Sequence, residues 1–171
     1  MSLLSESTVH VPTLGAFRLP SGFRSAATAC GLKPSGNLDL GLVWSDAPCA
    51  AAGMFTTNRV QAAPVHLCRE TLASAAGRIR GVIYNSGCAN AVTGERGMTD
   101  ARRMAALAAE AIGAAPGEVL VLSTGVIGVF LDMDKLTRGI AALKTPAAKR
   151  AAGDAARAIT TTDTRPKIAA A

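Results

Sequence analysis

The residues best suited to chemistry stand where apolar runs stop. Residues 118–128 read EVLVLSTGVIG, with Val119, Leu120, Val121 and Leu122 giving way to Ser123, Thr124 and Gly125, and Gly128 following. A β-branched and leucine run bounded by turn formers is a buried strand. Hydroxyls and glycines after it permit a tight turn whose backbone N–H groups face a cavity, and Thr124 with Gly125 then suits an anion or a developing oxyanion. The competing reading is a strand-to-loop junction with no chemistry. Two other polar clusters stand beside it: Asn85-Ser86-Gly87-Cys88-Ala89-Asn90 after the apolar run 81–84, and residues 161–167. There Thr161 and Thr162 suit a carboxylate or amide, Asp163 an ammonium group and Lys167 an acid. Equally, these groups can satisfy local backbone donors and pair on the surface.

Other reactive residue types lack company. Ser86 and Ser123 are not in a GxSxG elbow, and His66 has no nucleophile–base constellation around it. Cys30, Cys49, Cys68 and Cys88 form no CxxC pair, and only His10 and His66 are available beside them, so no metal site is expected. With no secretion signal, the cysteines read as buried reduced thiols. Lys33, in the turn-rich stretch Gly31-Leu32-Lys33-Pro34-Ser35-Gly36-Asn37, is either exposed or substrate-facing.

The 171 residues suffice for one domain with a core, and 49% hydrophobic with 18% charged residues fits a folded chain. Aromatics are only 4%, so Ala, Val, Leu and Ile must build that core. No run reaches the roughly 18 apolar residues of a membrane span, and Glu6 without a basic leader argues against a signal peptide. A cytoplasmic protein is expected. The net charge is +6, and residues 138–171 hold seven basic against two acidic residues. Such a segment suits an acidic partner chain or small anions. Without aromatic stacking residues or a helix-turn-helix or zinc-finger spacing, nucleic acid is not expected.

The positioning elements follow from periodicity. Residues 9–12 suggest a short edge strand, and 15–24 an ordered loop or irregular strand pair. Residues 38–44 form a strand, Ser45-Asp46-Ala47-Pro48 a turn, and 49–55 the returning antiparallel strand. Residues 63–67 read as a strand beginning near Pro64, and 68–76 as a short helix stopped by Gly77. The strand 81–84 delivers the Asn85 cluster; if it neighbours the strand before Ser123, the two polar ends meet. After a loop at 92–97, Thr99 caps a helix through Ile112, with Asp100 in its first turn and Gly113 as its stop. Pro116-Gly117 turns into the central strand. Asp132 caps a helix carrying Leu136, Ile140 and Leu143, Pro146 starts another reaching Ala158 or Ile159, and 160–164 is a strand or ordered loop. No repeat, linker, GxGxxG or Walker loop is present. An α/β layered domain is the expected class.

Taken together, the motifs resemble the α subunit of the glutamate N-acetyltransferase/ornithine acetyltransferase (ArgJ) family. They are Gly53-Met54-Phe55-Thr56-Thr57-Asn58, Asn85-Ser86-Gly87-Cys88-Ala89-Asn90, Ser123-Thr124-Gly125-Val126-Ile127-Gly128, Met133-Asp134-Lys135 and Thr161-Thr162-Asp163-Thr164-Arg165-Pro166-Lys167, in order over nearly the whole chain. The resemblance implies an α/β fold, a layered α-β-β-α-like sandwich of the ArgJ/DmpA type completed by a β chain. It implies a precursor cut before a threonine that becomes the β chain's amino-terminal nucleophile. Acetyl moves from N-acetylornithine to glutamate through an acetyl-threonine, with acetyl-CoA a further donor in some members and no bound cofactor. The assembly is an α2β2 heterotetramer. Thr124 and Gly125 would form the oxyanion site, Thr161 would bind the amino-acid part of the substrate, and Lys33, Asn85, Asn90, Thr162 and Asp163 would support the pocket. Thr160 departs from the pattern, where a bulkier residue, commonly Met, is expected. The family's Lys-Gly-(small)-Gly-Met loop and its Asn-Met-Ala/Thr processing junction do not occur in these 171 residues. Residues 1–171 are therefore expected to be a single α-subunit domain lacking the last residues before the cleavage site, and inactive alone. A self-processing aminopeptidase or amidase subunit and a noncatalytic binding domain are the alternatives.

Overall fold

The computed structural model describes residues 17–75, 78–115, 117–144 and 150–169. Four strands form one sheet in the order β1-β2-β3-β4: β1 (Phe23–Thr28), β2 (Leu40–Ala50), β3 (Arg78–Cys88) and β4 (Val119–Val126). The first three run antiparallel, whereas β3 and β4 are parallel. That parallel pair needs a crossover, and α2 (Gly94–Ile112) supplies it. The helices α1 (Ala63–Ser74), α3 (Met133–Leu143) and α4 (Ala152–Ala158) complete the described elements.

Alternation along the strands sorts the two faces. Ala26, Leu40, Leu42, Ile83, Val119 and Val121 join Leu67, Met104, Leu136 and Ile140 of α1–α3 in the main core. Each fully buried Leu there contributes about 1.5–3 kcal/mol. The intervening residues face the other way: Ala27, Val43, Val82 and Tyr84 pack with Ala158 and Ile159. Among the described residues, only the seven-residue α4 lies over this second face. Phe23 stays 42% exposed and Leu122 47%, and an apolar cleft of about 270 Å³ opens between Phe17, Leu19, Tyr84 and Leu122. The described residues thus hold one β layer, not the two of the expected sandwich.

Several expected elements differ. The predicted turn at 45–48 is a bulge inside β2: pairing with β3 shifts register between Trp44 and Cys49, and the Ser45 hydroxyl donates to the Ala47 carbonyl at 2.5 Å. The bulge absorbs Pro48, whose missing N–H a regular ladder would need, so no 38–44/49–55 hairpin forms. The predicted strand 63–67 and helix 68–76 are one helix. Pro64 sits in its first turn, where no intrahelical N–H is required, and Ala63, Leu67, Cys68 and Thr71 make its buried stripe. In β1 the only strand formers are Phe23 and Thr28 at its ends, with Arg24, Ser25, Ala26 and Ala27 between them, so no strand pattern marked it. Helix α2 begins five residues before Thr99, whose hydroxyl instead donates to the Glu95 carbonyl at 3.1 Å. Asp100 is consequently buried inside the helix, and burial raises its carboxyl above the usual range. Other stops and caps agree with expectation. Gly113 is left-handed at φ 64° and its N–H meets the Ala109 and Glu110 carbonyls, while Asp132 caps α3 by accepting from the Lys135 N–H at 3.0 Å. Residues 160–164 form bends. The expected edge strand at 9–12, the Gly77 stop, and Pro116 and Pro146 lie outside the described residues.

Candidate active site

The carboxyl ends of β3 and β4 bring two of the three polar clusters together. Asn85 pairs with Ser123, Ser86 with Thr124 and Gly87 with Gly125. Thr124 and Gly125 therefore belong to the strand's last ladder positions rather than to the predicted turn, which begins at Ile127. The register slips at Cys88, and both facing glycines hold a positive φ that a side-chain-bearing residue rarely adopts, Gly87 at 104° and Gly125 at 133°. A Cβ on Gly125 would lie 2.3 Å from the Gly87 carbonyl carbon and 2.6 Å from the Cys88 nitrogen. Two backbones meet where no side chain fits, and the Thr124 hydroxyl at this end makes no hydrogen bond among the described residues. A hydroxyl donor beside exposed, preorganised backbone is the chemistry of an oxyanion cradle.

Neighbouring polar side chains brace this end. Asn85, fully buried, accepts from the Ser123 hydroxyl at 2.7 Å and donates to the Cys88 carbonyl at 2.9 Å, spanning the slip. Ser86 donates to the Ala158 carbonyl at 2.5 Å. Both serine hydroxyls are thus held by non-basic acceptors, which fits their dismissal as nucleophiles. Asn90, left-handed at φ 48°, donates to the Gly97 carbonyl at 2.9 Å and accepts from the Thr93 hydroxyl at 2.8 Å. It shapes the entry to α2. Exposed His66 lies on α1, in a separate pocket of about 480 Å³ that includes Val92, Thr93 and Glu95.

The third cluster lines an adjoining pocket of about 420 Å³, whose walls include Lys33, Arg157, Thr160, Thr161, Asp163 and Arg165. Exposed Thr162 and the two asparagines are not among its walls. Within it the Thr161 N–H donates to the Asp163 carboxylate at 3.4 Å, and Lys167 closes an ion pair on the same acid. That ammonium holds the Asp163 carboxyl below its usual range. Two links join pocket and cradle. Ser86 ties β3 to the last residue of α4, three before Thr161, and the Leu32 carbonyl, next to Lys33, lies 3.1 Å from where a Gly87 Cβ would stand. A larger opening of about 920 Å³, lined by Phe17, Arg18, Arg24 and Trp44, lies instead at the start of β1, toward the far end of the strands from the cradle. Arg24 there is already paired with Asp46 at 2.7 Å.

A model of the ArgJ family matches residues 24–171. The chain belongs to that family. Its relatives include the arginine biosynthesis bifunctional protein ArgJ of Geobacter sulfurreducens, 51% identical over 149 residues that are 87% of this chain and 37% of the relative. The Thermus thermophilus protein of the same description is 50% identical over 91% of this chain and 40% of the relative. The chain thus spans about two fifths of the length of the curated relatives it matches. Among solved structures, ornithine acetyltransferase complexed with ornithine, from Mycobacterium tuberculosis, superposes with a TM-score of 0.83 at 42% identity, covering 95% of this chain and 87% of that one. The arginine biosynthesis bifunctional protein argJ of Bacillus halodurans gives 0.79 at 38% identity, over 91% and 81%. The α/β fold is therefore that of ArgJ structures.

Three residues at this candidate site were not singled out from sequence. Gly87 carried a signal, a glycine closing a polar cluster at a strand end. Asp39 carried one as well, an acid set between Leu38 and Leu40 in an apolar strand. Arg157, on a short alanine-rich helix, carried none. No cluster of His, Cys, Asp or Glu among the described residues is fit to hold a metal, and no described helix is long and apolar enough to cross a membrane.

Proposed function

We propose that this chain is the α subunit of an acetyltransferase that moves acetyl from N-acetylornithine to glutamate, in arginine biosynthesis in the cytoplasm. The observation that carries the reading is the β3–β4 end, where the Thr124 hydroxyl, unbonded among the described residues, stands beside the close Gly87–Gly125 backbone contact. In this reading a β chain from the same precursor brings an amino-terminal threonine. Its α-amine takes the hydroxyl proton as the oxygen attacks the acetyl carbonyl. The Thr124 hydroxyl and the Gly125 N–H stabilise the resulting oxyanion, which collapses to acetyl-threonine as protonated ornithine leaves. The glutamate amine attacks the ester through the same oxyanion and regenerates the threonine. Thr161, in the adjoining pocket, contacts the amino-acid portion, and acetyl-CoA is a further donor.

A missing partner is supported by the second sheet face, where α4 leaves Phe23 and Leu122 exposed. Apolar surface of that kind is ordinarily covered by another layer. The α2β2 assembly follows from the same reading. Expression of the whole precursor tests it: two chains should result, with a β chain beginning at threonine and one acetyl group heavier after exposure to N-acetylornithine. Glutamate should discharge that group as N-acetylglutamate. Full turnover by this chain alone, or release of free acetate regardless of glutamate, would refute it.

A further inference from the structure

Lys33 reaches the Thr161 pocket from the turn after β1, and the way it is held indicates what it meets there. The fully buried Asp39 carboxylate accepts four backbone N–H groups of that turn, from Cys30 at 2.7 Å, Gly31 at 3.1 Å, Leu32 at 2.7 Å and Lys33 at 3.0 Å. A carboxylate has about four acceptor positions, so this one is saturated by the turn. The Lys33 ammonium is left to donate to a neutral group, the Leu38 carbonyl at 2.9 Å. No carboxylate among the described residues lies within ion-pair distance of it. Of the pocket's other charges, Arg165 makes no ion pair among the described residues, whereas Arg157 and Asp163 are each committed to a neighbour. Arg157 pairs with Asp154 at 2.7 Å, and Asp163 pairs with Lys167.

A lysine ammonium has three donors, and two remain after Leu38. Partial burial pulls its pKa below the ordinary lysine value, with Asp39 opposing the change. A partly desolvated cation with only a carbonyl partner gains most from an arriving anion. The two substrates of the proposed transfer narrow the choice of anion. N-acetylornithine and glutamate carry opposite charges on their side chains, and what they share around the reacting nitrogen is an α-carboxylate. One ammonium can serve both half-reactions only by holding that group.

We propose that Lys33 determines specificity by pairing its ammonium with the substrate α-carboxylate, and that Asp39 is the positioning residue that sets its backbone in place. The inference rests on the acetyl-transfer reading. The test uses the complex processed from the full precursor. Donor turnover is compared for N-acetylornithine and its α-carboxamide, and acceptor turnover for glutamate, its α-amide and its γ-amide. The wild type should favour the free α-acids by about 10- to 100-fold in kcat/KM, mainly through KM, the scale of one charge-assisted hydrogen bond. K33Q should shrink both α-acid preferences to within about 3-fold, and K33R should recover most of them. The pocket assignment is overturned if K33Q keeps the wild-type ratios, or if only the glutamate-to-γ-amide ratio changes. Should the wild type move no acetyl group, the function is refuted separately. Calorimetry of ornithine and ornithinamide binding then decides the contact: discrimination lost in K33Q upholds it, and discrimination unchanged overturns it.

Discussion

Replacing Gly125 by alanine probes the cradle where its geometry is least forgiving. An added Cβ would stand 2.3 Å from the Gly87 carbonyl carbon and 2.7 Å from its oxygen, against the ordinary 3.4–4 Å of van der Waals contact. The colliding atoms are backbone on both sides, so relief requires separating β3 from β4 by about 1 Å. Holding φ near 133° costs an L-residue about 1–3 kcal/mol, and overpacking adds about 1–3 kcal/mol. The strain is relieved by moving the peptide that carries the proposed oxyanion donor. Displacement of that size costs roughly 100-fold, and loss of an oxyanion donor about 100- to 1,000-fold in kcat. G128A is the matched control, because Gly128 has a similar positive φ of 79° but open space around it. Both variants should be made in the full precursor, and acetyl transfer and acetyl-enzyme accumulation followed. G125A should lose at least about 100-fold in kcat with a smaller change in KM, while G128A stays within about 5-fold. Near-wild-type kcat in G125A would mean that this contact does not shape the transition state.

T124A, which removes the uncommitted hydroxyl without crowding the backbone, should lower kcat by about 100-fold with little change in KM; an unchanged kcat would remove Thr124 from the oxyanion site. D39N turns at least one of four accepting contacts into a donor facing a donor, and should lower unfolding stability by about 2–4 kcal/mol in urea. Burial, reinforced by Asp39, pushes the Cys30 thiol up to about 12, so peptide mapping after iodoacetamide at about pH 8 should find it unmodified. Rapid labelling would contradict the burial. Asp132 is held below the usual carboxylate range by the Lys135 N–H. Its contribution is present above the unfolded value of about 3.9 and is lost as pH falls through the folded one. D132A should therefore cost about 1 kcal/mol at neutral pH, with the gap to wild type closing as both are acidified.

The elements legible in the sequence were those in which one residue type answers a backbone demand. Gly113 stops α2 because a left-handed residue was required, and Asp132 caps α3 because its carboxylate reaches an orphan N–H. The β4 run was legible because four consecutive apolar strand formers end at turn formers, although β4 is the sheet's edge strand and its Leu122 stays exposed. Errors arose where local chemistry admits two answers. Pro64 opens a helix as readily as a strand, and Ser45-Asp46-Ala47-Pro48 composes a turn or a bulge. Deciding the second takes the β2–β3 ladder, which joins residues as distant in sequence as Leu40 and Asn85. Thr124 and Gly125 were singled out by motif and resemblance, but the backbone contact that shapes this end was not legible. The contact of Gly125 with Gly87 depends on strand order, which periodicity leaves open.

Strand order also explains why the site lies at this end of the sheet. Among the described strands only β3 and β4 are parallel neighbours, so only they pair two chain segments side by side as both leave the sheet at one end. Their crossover helix α2 joins α1 and α3 on one face, filling it with Met104, Leu136 and Ile140. That leaves the cradle beside the other face, where α4 is short and its Ala158 carbonyl is tied to Ser86. A partner layer seated on Phe23 and Leu122 would therefore approach the sheet from the side on which the Thr161 pocket adjoins the cradle. Covering the apolar face and completing the active site become one event. Removing the partner should then cost stability and turnover together, whereas T124A should cost turnover alone.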